Sequence, residues 1–312
     1  MIKILLTGKN GQLGWELNRT FSTLGNLFAF DHSSLDLNNH EQLQKTIRSI
    51  EPDLIINAAA YTNVDAAEQN QDLAMAINST ALEVITEEIK KIDGILIHYS
   101  TDYVFDGSKH SAYTEEDLPS PINVYGKSKL SGELVVQKSG VPYFIFRTSW
   151  VYATRGNNFL LTMLRLMQEQ KLLSVVNNQF GVPTWSRFAA EVSGQIFSKF
   201  LTSNILNKDY IHQLSGIYNL SCKGQTTWYD FAREIYKNLP ASVVGNQNIT
   251  INPVPSSKYH TVANRPENSE LSTNKLEENF NLNCLSWQEA LSLCMEDLTD
   301  NILLANTVRK DQ

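Results

Sequence analysis

The first half of the chain alternates short apolar runs with longer stretches of helical periodicity. Residues 2–7, Leu27–Phe30, Pro52–Asn57, Gly94–Tyr99 and Pro142–Arg147 are the apolar runs. Runs of this length suit strands covered on both faces, as in a parallel sheet. Between them, apolar residues recur at helical steps after Gly14, over 40–50, over 76–91, and from a cap at Asn123 to about Lys138. Repeated β–α alternation predicts an α/β fold, a Rossmann-type doubly wound parallel sheet with helices on both faces.

Beyond about residue 153 the rhythm loosens. Helices are expected over 158–170, 186–201, 226–239 and 286–304, with a strand and turn over 175–184 and a strand over 217–220. This half reads as a smaller α/β substrate-binding lobe packed over the first. The expected division is a dinucleotide-binding domain, 1–153, and a substrate lobe, 154–312, with an approximate and interleaved boundary. No repeat, low-complexity tract or linker interrupts the chain.

Candidate chemistry gathers where the strands end. The first runs into Gly8-Lys9-Asn10-Gly11-Gln12-Leu13-Gly14, with a helix following. In that context Gly8 makes the tight turn, Gly11 lets a pyrophosphate approach the backbone, and Gly14 lets helix and strand pack closely. The second ends in Asp31, suited to the adenosine ribose hydroxyls and repulsive to a 2′-phosphate. That charge favours NADH over NADPH. Asp36 and Leu37 follow and border the adenine. The third reaches Ala58-Ala59-Ala60-Tyr61-Thr62, whose small side chains admit a flat cofactor. The fourth, carrying Tyr99, emerges as Ser100-Thr101-Asp102-Tyr103, with hydroxyls and a carboxylate at the same sheet edge.

Two prolines, Pro119 and Pro121, then fix an extended entry to the helix capped by Asn123. Tyr125 and Lys129 lie four residues apart on it and share a face. An ammonium beside a phenol favours the ionised phenol, so the spacing predicts a lowered tyrosine pKa and a proton-transfer pair.

Composition narrows the partners. The 312 residues carry a formal charge of −7, which supplies no electrostatic footprint for nucleic acid or an anionic membrane surface. No apolar run approaches a membrane-spanning length. The N-terminus lacks the apolar core and cleavage site of a secretory signal. Cys222, Cys284 and Cys294 form no ligand-like pair, so no disulfide framework or catalytic metal is expected, and the compartment expected is a reducing cytoplasm.

Taken together, these segments resemble the extended short-chain dehydrogenase/reductase family over nearly the whole length. The resemblance is carried by Gly8–Leu17, Pro52–Asp65, Ser100–Gly107, Asn123–Glu133, Arg147–Tyr152 and Asn178–Thr184. Within that family it points to NAD(P)H-dependent reduction of the C4 ketone of dTDP-4-dehydro-L-rhamnose to dTDP-L-rhamnose, a step toward cell-surface polysaccharide. It implies that Tyr125 gives a proton to the C4 oxygen. Lys129 would bind the nicotinamide ribose and lower the tyrosine pKa, and Thr101 would tune the tyrosine. Thr101, Asp102 and Trp150 would contact the sugar. Gly11, Gln12, Leu13, Asp31, Asp36, Leu37, Ala60, Tyr61, Thr62 and Tyr99 would line the cofactor. Some members hold magnesium at a homodimer interface, for which Glu16, Glu191 and Glu289 are the candidates here. Glu270 departs from the pattern by standing where a basic residue is common.

Asp102-Tyr103 lacks the Asp-Glu pair of the related dehydratases. Another nucleotide-sugar reductase or epimerase, or a non-catalytic NAD(P)-binding regulatory subunit, stays open as a reading.

Overall fold

Five of the apolar runs and one later strand hydrogen-bond into a single parallel sheet. The computed structural model describes residues 1–202, 205–239 and 248–310. The strands are β1 (Lys3–Thr7), β2 (Asn26–Phe30), β3 (Leu54–Asn57), β4 (Ile95–Thr101), β5 (Tyr143–Thr148) and β6 (Gly216–Asn219). Their order is β6-β5-β4-β3-β1-β2, and every neighbouring pair is parallel. The chain leaves β1 first to one side, for β2, and then to the other, for β3. The ends of β1 and β3 therefore flank a topological switch point, where open α/β sheets bind ligands.

Side-chain parity divides the core. Ile4, Leu6, Leu54, Ile56, Ile97 and Phe146 enter one apolar cluster, while Leu5, Ile55, Leu96 and Ile145 enter another on the opposite face. Helices α1 (Gln12–Thr20) and α6 (Ser186–Ser198) pack together and supply residues to the first cluster. Helices α2 (His40–Ile50), α3 (Ala81–Lys91) and α4 (Val124–Lys138) supply residues to the second. Helices α5 (Phe159–Glu169), α7 (Trp228–Lys237) and the final helix α8 (Trp287–Lys310) also supply residues to the first cluster.

Several elements differ from expectation. The stretch 76–91 is not one helix: Ala76–Thr80 is a π-turn leading into α3. Its Asn78 hydrogen-bonds both backbone groups of Tyr61 and the Ser128 hydroxyl, contacts that the apolar periodicity does not encode. Strand β6, expected around 217–220, adds to the central sheet beside β5. A helix at Lys208–Leu214 and a strand at Thr250–Val254, parallel to Leu172–Val176, were not anticipated. Cys222, Cys284 and Cys294 are free and buried. Among the described residues no helix is long and apolar enough to cross a membrane.

Candidate active site

The glycine turn is built from backbone. Gly8 has φ +77°, a left-handed conformation that a side chain would strain, and the Gly11 N–H closes the turn on the Gly8 carbonyl at 2.9 Å. A Cβ on Gly14 would lie 2.0 Å from the Gly8 oxygen, so strand and helix meet at a distance only glycine allows. No side chain caps α1, whose cap position is Gly11. Its first N–H groups thus remain available to an anionic ligand. These features fit a dinucleotide's pyrophosphate.

Asp31 directly follows β2. It accepts from the Ser33 and Ser34 hydroxyls at 2.7 and 2.8 Å, from the Ser34 N–H, and from the Asn10 amide. These hydrogen bonds, with the nearby Lys9 ammonium a lesser cause, hold its carboxyl well below the usual range. Lys9 Nζ is 3.6 Å away, a cation beside Asp31 that the sequence reading did not connect to it.

A cleft of about 840 Å³ runs from this turn to α4, within the range typical of ligand sites. It is lined by Gly8, Gly11, Gln12, Leu13, Asp31, Asp36, Leu37, Ala60, Thr62 and Tyr99, and by Thr101, Asp102, Tyr125, Lys129 and Trp150. Gly14 lies behind the turn, packed on Gly8. Tyr61 is not part of the lining; its backbone is instead pinned by Asn78.

Asn123 caps α4 by accepting from the Gly126 N–H, and so sets where Tyr125 and Lys129 project. Burial pushes the Tyr125 phenol up to about 12; a hydrogen bond with Thr101 opposes this and the Asp102 charge reinforces it. The net lowering expected from the Tyr125–Lys129 spacing is not found, because burial outweighs what opposes it. Lys129 Nζ donates to the Tyr99 carbonyl at 2.6 Å and lies 3.2 Å from His98 Nε2. Its own pKa falls to about 8 through burial, with Glu133 acting the other way. A phenol that keeps its proton at neutral pH is able to donate it.

Thr101 donates to Asp102 at 3.0 Å, and burial raises the Asp102 carboxyl to about 7. Its Oδ2 is buried with no hydrogen-bond partner. Trp150, at φ +42°, stacks on Trp228 with ring centroids 3.5 Å apart. Neither Trp228 nor Asn158, which caps α5 and donates to Gln12 at 2.8 Å, was singled out from sequence, though both line the cleft. Asn158 follows the Gly156-Asn157 pair, the one local signal for a capped turn there. Arg265 also lines the cleft, bound to Asp65 at 2.7 Å.

No group of three or more His, Cys, Asp or Glu suited to a metal occurs among the described residues. Of the three glutamates considered for magnesium, Glu191 pairs with Arg187, Glu289 accepts from Ser286, and Glu16 has its pKa raised by burial.

Comparison with known proteins agrees with this geometry. The family described as RmlD substrate binding domain matches residues 2–300. The dTDP-4-dehydrorhamnose reductase of Escherichia coli K12 is 42% identical over 95% of this chain and 98% of its own. That of Burkholderia thailandensis is 41% identical, over 95% and 99%. Among solved structures, dTDP-4-dehydrorhamnose reductase from Bacillus anthracis in complex with NADP superposes with a TM-score of 0.84. It is 34% identical, covering 95% of this chain and 99% of that one. The chain belongs to the RmlD substrate binding domain family, within the Rossmann-type dehydrogenases.

Proposed function

We propose that this protein reduces the C4 ketone of dTDP-4-dehydro-L-rhamnose to dTDP-L-rhamnose, using NADH or NADPH. One observation carries the reading: Thr101, Tyr125 and Lys129 line the same cleft as an uncapped glycine turn. When bound, the reduced nicotinamide supplies hydride, and the protein supplies orientation and a proton. Tyr125 gives its phenolic proton to the ketone oxygen as C4 is reduced, so that carbonyl, hydride and proton together make one secondary alcohol. Thr101 steadies the phenol, and Lys129 contributes a positive charge and a donor at the floor of the cleft. The free Oδ2 of Asp102 and the ring of Trp150 face a hydroxylated sugar in this reading. Gln12, Leu13 and the turn hold the cofactor phosphates, while Ala60 and Thr62 border the nicotinamide half.

Asp31 favours a free 2′-hydroxyl, and Lys9 moderates that preference by offering a cation to a 2′-phosphate. Reduced cofactor is therefore expected to serve in either form, with NADH modestly ahead. The test is the loss of nicotinamide absorbance with a panel of dTDP-, UDP- and GDP-linked 4-keto sugars. Oxidation with the dTDP-linked 4-keto-6-deoxy sugar, forming dTDP-L-rhamnose, supports the assignment. Protein that purifies with bound NAD and catalyses no net oxidation would instead identify an epimerase.

A further inference from the structure

Behind the catalytic lysine lies a buried polar row that the reduction scheme leaves unexplained. Thr7, Asn57 and His98 are register partners across β1, β3 and β4. They extend the rows of Leu5, Ile55 and Leu96 toward the strand ends, on the face covered by α4. Thr7 Oγ1 is 2.7 Å from Asn57 Oδ1, Asn57 Nδ2 is 3.2 Å from His98 Nδ1, and His98 Nε2 is 3.2 Å from Lys129 Nζ. All four residues are at most 1% exposed. Leaving a buried polar group unpaired is costly, so this row must be mutually satisfied.

Proton counting decides how. A neutral imidazole has one N–H, and burial together with the Lys129 charge drives His98 well below its usual pKa, so it stays neutral. If Lys129 is an ammonium, Nε2 must accept from it and the ring proton sits on Nδ1. Nδ1–H then needs an acceptor, which the Asn57 amide provides once its oxygen and nitrogen are exchanged, an exchange that keeps every heavy-atom contact. The alternative puts the ring proton on Nε2 and makes Lys129 a neutral amine. Only the first pattern keeps the lysine charged.

We infer that His98 is a positioning residue for the reduction: its Nε2 accepts from the Lys129 ammonium, with Asn57 fixing the Nδ1–H tautomer. Two lysine donors are then committed, to His98 and to the Tyr99 carbonyl, and the third serves the cleft that Lys129 lines. The other charged or titratable groups about Lys129 are few. Glu133 lies one turn on along α4 and is neutralised by Arg147 of β5 at 2.7 Å; Tyr125 lies one turn back, and Asp102 follows β4. None replaces the acceptor that His98 provides. The inference rests on the Tyr125–Lys129 reading of the site.

Glutamine carries its amide oxygen to about the place of Nε2, asparagine only to that of Nδ1, and leucine offers no acceptor. In His98→Leu the lysine, whose pKa is about 8, loses its proton more readily, so the alkaline fall of kcat is expected about one pH unit lower, with kcat near pH 8 reduced roughly fivefold. His98→Gln should return the profile toward the parent, and His98→Asn should not. If His98→Leu does not fold, the Gln and Asn pair decides. In cofactor-free protein, ¹⁵N spectra of the histidine rings should show His98 as the Nδ1–H tautomer and still neutral where the exposed histidines are protonated. An Nε2–H tautomer, or Gln and Asn variants with the parent's alkaline limb, would overturn the inference. Full activity of Tyr125→Phe would overturn the site reading itself, a separate result.

Discussion

The two ends of the cleft are made of different material. The adenosine end is backbone and half-exposed surface: a left-handed glycine, an uncapped helix and an acid surrounded by short-range hydroxyls. The catalytic end is buried side chain: Lys129, His98, Asn57 and Asp102 are each 3% exposed or less, and several titrate away from their ordinary values. Local geometry is enough to capture a cofactor. Chemistry on a sugar ketone needs groups drawn from several strands and taken out of water, because desolvation moves their pKa values and makes their neighbours' charges count.

Removing the proposed proton donor should separate the two ends most sharply. Tyr125→Phe is expected to lower kcat by about 10²–10⁴-fold while fluorescence titration of NADH gives a Kd within about twofold of the parent. Cofactor binding lost along with turnover would mean the ends are not independent. Next in size, Gly14→Ala places a Cβ against the Gly8 carbonyl. Such overpacking costs about 1–3 kcal/mol, so roughly a five- to hundredfold weaker cofactor Kd is expected. The alkaline limb of residual kcat should stay where it was.

A smaller effect concerns the raised carboxyl. Asp102 goes from an ordinary value of 3.8 to about 7 through burial, so the native state holds a proton the unfolded chain releases. Stability from this group is full below about pH 4 and lost as pH rises through about 7. Asp102→Asn should therefore flatten the decline of Tm between pH 5 and pH 8, and an unchanged slope would show that the carboxyl is already ionised. The least change is expected at the exposed end. Asp31→Asn should shift the NADPH/NADH ratio of kcat/KM by about two- to fivefold toward NADPH, as suits a solvent-screened charge.

The same division governs how far the sequence could be read. The glycine turn, Asp31 and the Tyr125–Lys129 pair are spacings within one element or one turn, and each lines the cleft where expected, apart from Gly14 behind it. The parallel sheet followed from the apolar runs. His98 was out of reach because its partners are set by register: Asn57 is 41 residues away and Lys129 is 31. Spacing put Lys129 on the tyrosine's face, but it could not show that the Tyr99 carbonyl and His98 capture the ammonium. Trp228 stacks on Trp150 at the cleft, a contact between chain halves that no local pattern announces. The π-turn was hidden because its residues keep the helix's apolar rhythm while Asn78 serves the Tyr61 loop.

That indole pair gives the protein an optical probe of its own. Two rings 3.5 Å apart and 6° from parallel are electronically coupled, and both border the space assigned to the sugar. Gly181 leaves room for one of them, since a Cβ there would come within 2.5 Å of the Trp150 ring. Sugar nucleotide entering the cleft should change the near-ultraviolet dichroism of the coupled pair, and reduced cofactor should quench its emission by energy transfer. Occupancy of the two ends could then be followed separately in the unlabelled protein.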